Sequence, residues 1–119
     1  LDFLLSDHAD DPDAPPCYVE VKNVTLRMDG AALFPDTVTT RGARHVADLT
    51  EIARGGEARA AMFFLISRSD CSGFRPAAHI DPAYAQAVSE AVDAGVGLHA
   101  WQTSITLEGV TISTPVPLR

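Results

Sequence analysis

The sequence has no apolar run of the length that crosses a bilayer, and it has no recognisable signal peptide. A membrane-spanning helix needs roughly 20 consecutive apolar residues, and none of the hydrophobic stretches approaches that length. We therefore expect a soluble, cytoplasmic protein with no membrane partner. The chain also lacks an initiator methionine, and residues 1–5 already have the composition of a strand. We expect it to be a fragment with something missing upstream.

Cysteine is scarce, which excludes a disulfide-rich scaffold. Cys17 and Cys71 are the two cysteines, and neither has a second cysteine or a histidine at the spacing of a metal site. Reduced, unpaired thiols are the expected state. The sequence also contains no internal repeat, glycine-rich phosphate loop, zinc-ligand cluster or Ser-His-Asp motif. None of those classes of site is predicted.

Basic residues are few: nine lysines and arginines stand against 16 acidic residues, for a net charge of −7. Because neutralisation of phosphates by Lys and Arg supplies most non-specific affinity for nucleic acid, this balance argues against a domain that grips nucleic acid by bulk charge. Any site for a polyanion must be local or lie in the missing part. The length of 119 residues and the 46% hydrophobic content indicate one globular domain.

Hydrophobic periodicity and turn signals predict an alternating order of elements. The expected helices run from Thr39 or Thr40 to about Arg54, and from the Asp81-Pro82 cap to Gly95, with Tyr84, Val88, Ala91 and Val92 facing inward. The expected strands are residues 1–5, 17–28, 31–34, 58–66, 98–107 and 110–113. Asp29-Gly30 is a hairpin-turn signal, and residues 58–66 are so apolar that we expect burial on both faces. The fold class is therefore α/β, a sandwich with a mixed β-sheet.

Two opposite charges lie in the middle of the predicted strand 17–28. Side chains in a strand alternate between its faces, so Glu20 and Lys22 project from one face and Val21 from the other. One interpretation is ordinary solvated charge on an edge strand. The other is a pair at a strand end beside further carboxylates, as a site for a metal ion and water requires.

Asp2, in the first predicted strand, can join this pair if strands 1–5 and 17–28 are antiparallel neighbours. Two carboxylates with water and a backbone carbonyl, that of Val21, suit Mg²⁺ or Mn²⁺. Such a metal ion acidifies a bound water, while Lys22 orients the nucleophile or stabilises charge developing at phosphorus. Together Asp2, Glu20 and Lys22 therefore predict phosphodiester hydrolysis.

A basic face is predicted at the start of the first helix. Arg41, Arg44 and His45 fall at positions i, i+3 and i+4, which places two guanidinium groups and an imidazole on one side. An anion such as a phosphate could bind there. A solvated helix face explains the same pattern equally well.

Longer motifs resemble a known family. The layout of Asp2, Glu20 and Lys22 resembles the PD-(D/E)XK nuclease superfamily. More specific are Y-V-E-V-K-N-V-T-L, A-L-F-P-D, T-x-R-G-x-R-H and F-R-P-x-x-x-I-D-P-x-Y, at residues 18–26, 32–36, 39–45 and 74–84. Together they resemble the sugar fermentation stimulation protein A family over essentially the entire chain. Thr40 stands where relatives usually have an acid and Ser67 where many have Gln, which leaves a second metal ligand or polar relay there open.

The resemblance implies a bacterial or archaeal cytosolic DNA-binding protein, from a family linked to regulation of sugar (maltose) fermentation. Residues 1–119 would be its C-terminal domain, a restriction-endonuclease-like sandwich whose mixed sheet is flanked by helices. A smaller N-terminal OB-like domain would belong to the full-length protein and is absent from this chain. Asp2, Glu20 and Lys22 become the catalytic set, and Asp36, Arg41 and His45 lie in the family's signature segment beside them.

Two functions follow from these observations. The first is a nuclease that depends on Mg²⁺ or Mn²⁺ and acts on DNA, with RNA as a further substrate. The second is a non-catalytic, sequence-non-specific DNA-binding regulatory protein that keeps the nuclease fold. A purely structural role leaves Glu20 and Lys22 on an apolar strand unexplained. The oligomeric state is open, with a dimer as one arrangement.

Overall fold

The computed structural model describes residues 3–5, 15–106 and 109–118 of the chain. Within these ranges the chain forms eight strands and two helices. Their bounds are β1 (Phe3–Leu5), β2 (Cys17–Val24), β3 (Leu26–Met28), β4 (Ala31–Phe34), α1 (Thr40–Gly55), β5 (Arg59–Ile66), β6 (Gly73–Pro76), α2 (Pro82–Asp93), β7 (Gly97–Thr106) and β8 (Gly109–Pro115). The predicted α/β class is confirmed.

The larger sheet has five strands in the order β1-β2-β5-β7-β8. Its three central strands, β2, β5 and β7, run parallel, and β1 and β8 pair antiparallel at the two edges. The sheet is therefore mixed, as the order of elements predicts. β2 lies between β1 and β5, so it is an interior strand of this sheet.

One face of the central strand β5 carries the core. The side chains of alternate residues are buried, while the residues between them are half-buried; the buried set is Ala60, Met62, Phe64 and Ile66. Val46 and Leu49 of α1 and Val88 of α2 belong to the same buried cluster. The prediction that residues 58–66 are buried on both faces is wrong, because both helices contribute to the cluster on one face only.

A second sheet of three strands, β3-β4-β6, accounts for two further differences from the prediction. The expected single strand 17–28 is divided at Thr25, and its last three residues, β3, pair with β4 in this sheet. The hairpin at Asp29 and Gly30 is confirmed, and both residues have positive φ, 52° and 81°. β6 is not among the expected strands. It forms because it pairs in parallel with β4, a long-range contact that local sequence does not encode.

Both helices begin at the predicted caps. The Thr39 hydroxyl accepts a hydrogen bond from the Gly42 backbone N–H at 3.0 Å, and Pro82 occupies the first position of α2 after Asp81. α1 ends where Gly56 adopts a left-handed conformation, φ 76°. The prediction that Val92 faces inward is wrong, since 46% of it is exposed. It lies about 100° around the helix from Ala91 and so leaves the buried face.

No helix in the described ranges is long and apolar enough to span a membrane.

Candidate functional site

The candidate site lies on the helix-covered face of β2. The parallel register sets Glu20 opposite Met62 and Lys22 opposite Phe64, both of which are buried under the helices. Residues opposite each other in neighbouring strands share a face. Glu20 and Lys22 therefore project from one face, as the period of the strand predicts, and that face is the covered one.

The Glu20 carboxylate is buried and bound by two nitrogen groups. Its Oε1 atom lies 3.2 Å from Lys22 Nζ and 3.1 Å from His45 Nδ1, and only 3% of the residue is exposed. A buried carboxylate is stable only when it is paired and hydrogen-bonded, because burial removes its hydration. The interpretation of this pair as solvated charge on an edge strand is therefore wrong.

His45 connects this pair to Arg41 on the first turns of α1. The Arg41 Nε–H donates to His45 Nε2 at 3.5 Å, across the i, i+4 spacing of the helix. Because an arginine N–H can only donate, Nε2 is the accepting nitrogen of the ring. The Glu20 carboxylate can only accept, so Nδ1 is the donor in the 3.1 Å contact with Glu20, and Lys22 Nζ lies 3.5 Å from the same nitrogen. His45 thus joins Glu20 to an exposed guanidinium.

The predicted basic face is only partly brought to the site. Arg41 and His45 join the cluster, whereas Arg44 is exposed and, within the described part of the chain, makes no hydrogen bond to Glu20, Lys22 or His45. The helix is rotated so that Gly42 and His45 face the sheet. We call Glu20, Lys22, Arg41 and His45 the site cluster. It contains one carboxylate among three nitrogen-bearing side chains, so it is locally basic in a protein of net charge −7.

Gly42 lets α1 approach close enough for His45 to contact Glu20. A Cβ atom at this position would lie 2.8 Å from the Thr39 side chain and 3.3 Å from Cε2 of the Tyr84 ring. Either distance is too short or very tight for a side-chain carbon, so the absence of a side chain is what permits this packing. The contact sets the depth of the helix over the sheet.

Sequence reasoning missed the connection between the two helices. Asp81 was predicted to cap α2, and its Oδ1 accepts from the Tyr84 N–H at 3.0 Å. Its other oxygen, Oδ2, accepts from the Thr39 N–H at 2.8 Å, one residue before α1 begins. These two hydrogen bonds hold the pKa of Asp81 below its ordinary value, the one from Thr39 having the larger effect. The sequence signal that could have indicated this connection was the presence of capping residues at both helix starts.

Tyr84 lies beneath α1, beside the site cluster. Its side chain is fully buried, and its ring packs edge-on against Phe34 at a centroid distance of 5.3 Å. Burial raises the pKa of the Tyr84 hydroxyl, and the negative charge of Glu20 raises it further. The hydroxyl is therefore protonated at neutral pH and close enough to Glu20 to be affected by its charge.

The structure describes some, but not all, of the remaining predicted site residues. Asp2 lies outside the described residues. Val21 follows Glu20 in β2 and is half-buried, and Asp36 is exposed between β4 and α1. Among the described residues, no group of three or more His, Cys, Asp or Glu side chains could hold a metal ion. The predicted metal ligands thus stay a prediction.

Comparison with known proteins decides the family. A family model described as the sugar fermentation stimulation protein RE domain matches residues 1–109. The chain belongs to this family. Membership confirms the resemblance predicted from the four motifs.

Curated relatives agree with this assignment. The sugar fermentation stimulation protein homolog of Jannaschia sp. is 49% identical over 119 residues, and that of Roseobacter denitrificans is 45% identical over 120 residues. These matches cover 99% and 100% of this chain but 47% and 49% of the two relatives. The chain therefore spans about half the length of the curated family members that it matches.

A solved structure of the family has the same fold. The structure described as Pyrococcus furiosus SfsA in complex with Ca²⁺ aligns with a TM-score of 0.82 and 31% sequence identity. The alignment covers 87% of this chain and 45% of the Pyrococcus chain. The α/β architecture described above is thus that of a solved family member.

Proposed function

We propose that this chain is the nuclease-like domain of a DNA-binding protein, and that it hydrolyses phosphodiester bonds with a divalent metal ion. The proposal includes a restriction-endonuclease-like identity for the α/β sandwich and a cytoplasmic site of action. DNA is the preferred substrate, with RNA to be tested beside it. The observation that carries the proposal is the buried Glu20 carboxylate with Lys22 two residues later on the same face.

The chemistry of the available donors fits a hard divalent cation. Glu20 supplies a carboxylate, and the backbone carbonyl of Val21 is the adjacent oxygen donor that we assign to the metal site. Oxygen donors of this kind suit Mg²⁺, Mn²⁺ and Ca²⁺. The Pyrococcus relative, described as a complex with Ca²⁺, supports a divalent cation in this family. When bound, such an ion supplies a water of lowered pKa and neutralises charge on a phosphate oxygen.

Asp2 is the second proposed carboxylate. β1 and β2 are antiparallel with Phe3 opposite Val19. Phe3 directly follows Asp2 in the sequence and Val19 directly precedes Glu20, and residues directly opposite each other in antiparallel strands share a face. The pairing of the two described strands therefore supports the sequence-based assignment of Asp2 and Glu20 to one site.

The other residues of the site cluster have separate roles. Lys22 lies 3.2 Å from Glu20 and, as a point charge, stabilises negative charge that develops on the scissile phosphate. Arg41 is exposed at the mouth of the cluster, where its guanidinium can bind a phosphate of the backbone. His45 donates from Nδ1 to Glu20 and holds the carboxylate in one orientation. Arg44 and Asp36 are both exposed, and the only role that we propose for them is contact with the substrate.

One observation favours the second function, DNA binding without catalysis. Oε1 of Glu20 is already engaged by both Lys22 and His45. A cation that uses this oxygen must compete with two existing partners. A family member that had lost catalysis could retain such a cluster as a structural element that supports the exposed guanidinium of Arg41.

A cleavage assay separates the two functions. Labelled single- and double-stranded DNA and RNA are incubated with the full-length protein and Mg²⁺ or Mn²⁺, and the assay is repeated with Lys22→Ala and Glu20→Gln. We expect cleavage by the unaltered protein and at least a hundredfold loss in each variant, since both changes remove charge stabilisation of the kind that contributes factors of about 10² to 10³. Arg54→Ala, an exposed change near the other end of α1, is the matched control and should cleave normally.

Cleavage that persists in Lys22→Ala would show that another site or a contaminant is responsible. Absence of cleavage, combined with metal-independent DNA binding that weakens steeply with salt, would establish the second function instead. The net charge of −7 disfavours binding of DNA by the domain as a whole. In that case we expect binding to depend on the exposed Arg41, or on the part of the full-length protein outside this chain, where we expect the OB-like domain.

A further inference from the structure

The Tyr84 hydroxyl is the feature of the core that packing does not explain. Tyr84 is fully buried, and its hydroxyl has no hydrogen-bond partner within the described part of the chain. Leaving a buried hydroxyl without a partner costs about 1–3 kcal/mol. Its neighbours in the core, Phe34 and Phe64, form an aromatic cluster in which phenylalanine would fill the same space. Within the described residues, the hydroxyl is therefore a buried donor whose partner has still to be identified.

The spacing along α1 shows where the hydroxyl points. Gly42 lies over Cε2 of the Tyr84 ring, the carbon next to the one that bears the hydroxyl. His45, three residues later on the same helix face, contacts Glu20. Three residues of a helix rise about 4.5 Å along its axis, so the contacts that Gly42 makes with the Tyr84 ring and His45 with Glu20 are separated by about that distance along α1. Two successive hydrogen bonds of about 2.8 Å span a similar distance.

We propose that Tyr84 is a positioning residue whose hydroxyl holds one water molecule against the Glu20 carboxylate. The Tyr84 hydroxyl donates to the water, and the water donates to Glu20. A water held in this way has the two polar partners that a buried water needs at minimum. Glu20 is then fixed from two sides, by His45 from the helix and by Tyr84 through the water.

This inference rests on the proposed function where it concerns metal binding, because Tyr84 would then orient a metal-binding carboxylate from outside the ligand set. Groups that orient metal ligands in this way are worth about 10- to 100-fold in affinity. The stabilising effect of the bridge does not depend on any metal. The two consequences can therefore be measured separately.

The test uses Tyr84→Phe in the full-length protein, with Tyr18→Phe as the matched control. Tyr18 is a half-buried phenol on β2, and the two residues are the only tyrosines in the sequence. We expect Tyr84→Phe to lower the midpoint of thermal unfolding by several degrees and to weaken Ca²⁺ binding, measured by calorimetry, at least tenfold. Tyr18→Phe should leave the Ca²⁺ affinity within twofold. A high-resolution crystal structure of the unaltered protein should show a water bonded to both Tyr84 and Glu20.

Density without that water would overturn the inference. So would a Tyr84→Phe protein that is as stable as the unaltered one or more stable, because removal of a merely tolerated hydroxyl relieves its burial cost. An unchanged Ca²⁺ affinity in Tyr84→Phe would overturn the positioning role. If the unaltered protein binds no Ca²⁺, the proposed metal-dependent function fails, while the crystal structure and the unfolding midpoint still decide the role of Tyr84.

Discussion

The Asp81 carboxylate accepts a hydrogen bond from the Thr39 backbone N–H at 2.8 Å, across 42 residues of sequence. Its second oxygen accepts from the Tyr84 N–H at 3.0 Å, in the first turn of α2. One buried side chain thus caps its own helix and also binds the residue that caps α1. The position of α1 over the sheet, and with it the contact between His45 and Glu20, depends in part on Asp81.

Asp81→Asn should destabilise the protein. An asparagine offers one accepting oxygen, and its amide nitrogen would face one of the two N–H groups as a second donor. Loss of a cap and of a buried partner should lower the midpoint of thermal unfolding by several degrees at pH 7, measured by circular dichroism. A midpoint within one degree of that of the unaltered protein would show that Thr39 and Tyr84 find other partners.

Acid should remove this contribution of Asp81. The pKa of Asp81 is lower in the folded protein than the ordinary value of about 4, so its stabilising effect is present above that value. The effect is lost as the pH falls through the lowered folded pKa. We expect the midpoints of Asp81→Asn and the unaltered protein to converge at acid pH. Their difference should be as large at pH 7 as at pH 5.

Asp70→Asn is the control for this pH dependence. The hydrogen bond from Arg68 lowers the pKa of Asp70 to about 2, yet this pair is exposed on the surface, with 52% of the Asp70 side chain accessible. Exposed ion pairs are screened by water and salt and contribute little to stability. Asp70→Asn should therefore change the midpoint by less than Asp81→Asn at pH 5 and at pH 7, although both carboxyl groups have a depressed pKa.

Gly42→Ala should destabilise the protein even though alanine favours helices. The intrinsic preference would stabilise by about 1 kcal/mol. The added Cβ, however, would lie 2.8 Å from both Oγ1 and Cγ2 of Thr39 and would displace the side chain that caps α1. Loss of that cap and overpacking against Tyr84 together cost about 2–4 kcal/mol. We expect a net loss of about 1–3 kcal/mol in the free energy of unfolding, measured with urea.

Gly55→Ala is the matched control, because no atom lies within 4 Å of a Cβ at that position. It should be neutral or stabilising. If Gly42→Ala is equally well tolerated, the close packing of α1 against Tyr84 does not determine the depth of the helix.

Features encoded locally could be predicted from the sequence. The caps at Thr39 and Asp81, the proline at position 82 and the turn at Asp29-Gly30 each act within a few residues of the chain. The helix starts and the first hairpin were accordingly correct. The strand β6 and the break at Thr25 depend on pairing between distant segments, and no local pattern distinguishes them from loop and continuous strand.

In the candidate site, too, locally encoded features could be predicted, whereas features set by contacts between distant residues could not. The shared face of Glu20 and Lys22 follows from the two-residue period of a strand and was predicted. Arg44 and His45 are equally suitable neighbours in the sequence, yet only His45 contacts Glu20. The rotation of α1 decides between them, and that rotation follows from packing of Gly42 against Tyr84, a contact made 42 residues apart.

The two thiols should differ in reactivity. Burial raises the pKa of the Cys71 thiol, and only 7% of Cys71 is exposed, whereas Cys17 is half-buried. The thiolate is the reactive form, so both factors slow alkylation of Cys71. We expect iodoacetamide at pH 8 to label Cys17 at least several-fold faster, measured by peptide mass spectrometry with Cys17→Ser and Cys71→Ser as controls. Equal rates would show that the loop around Cys71 opens readily.

Lys22→Met should destabilise the protein more than Glu20→Gln does. Removal of the ammonium leaves the Glu20 carboxylate buried with less compensating charge, and burial of an undercompensated charge costs several kcal/mol. Here His45 remains within 3.1 Å and limits the loss to about 1–3 kcal/mol. Glu20→Gln leaves the charge on Lys22, whose side chain is 15% exposed and can turn toward water. Its cost should be under about 1 kcal/mol.

The double variant Lys22→Met with Glu20→Gln tests the cause of this asymmetry. If the buried carboxylate charge is what makes Lys22→Met costly, neutralising Glu20 in the same protein should restore most of the lost stability. The coupling energy from urea unfolding of the four proteins should then be about 1 kcal/mol or more. Additive losses would instead mean that Lys22 contributes through packing of its aliphatic stem against the core. The ion pair with Lys22 would then contribute little to the stability of the buried Glu20.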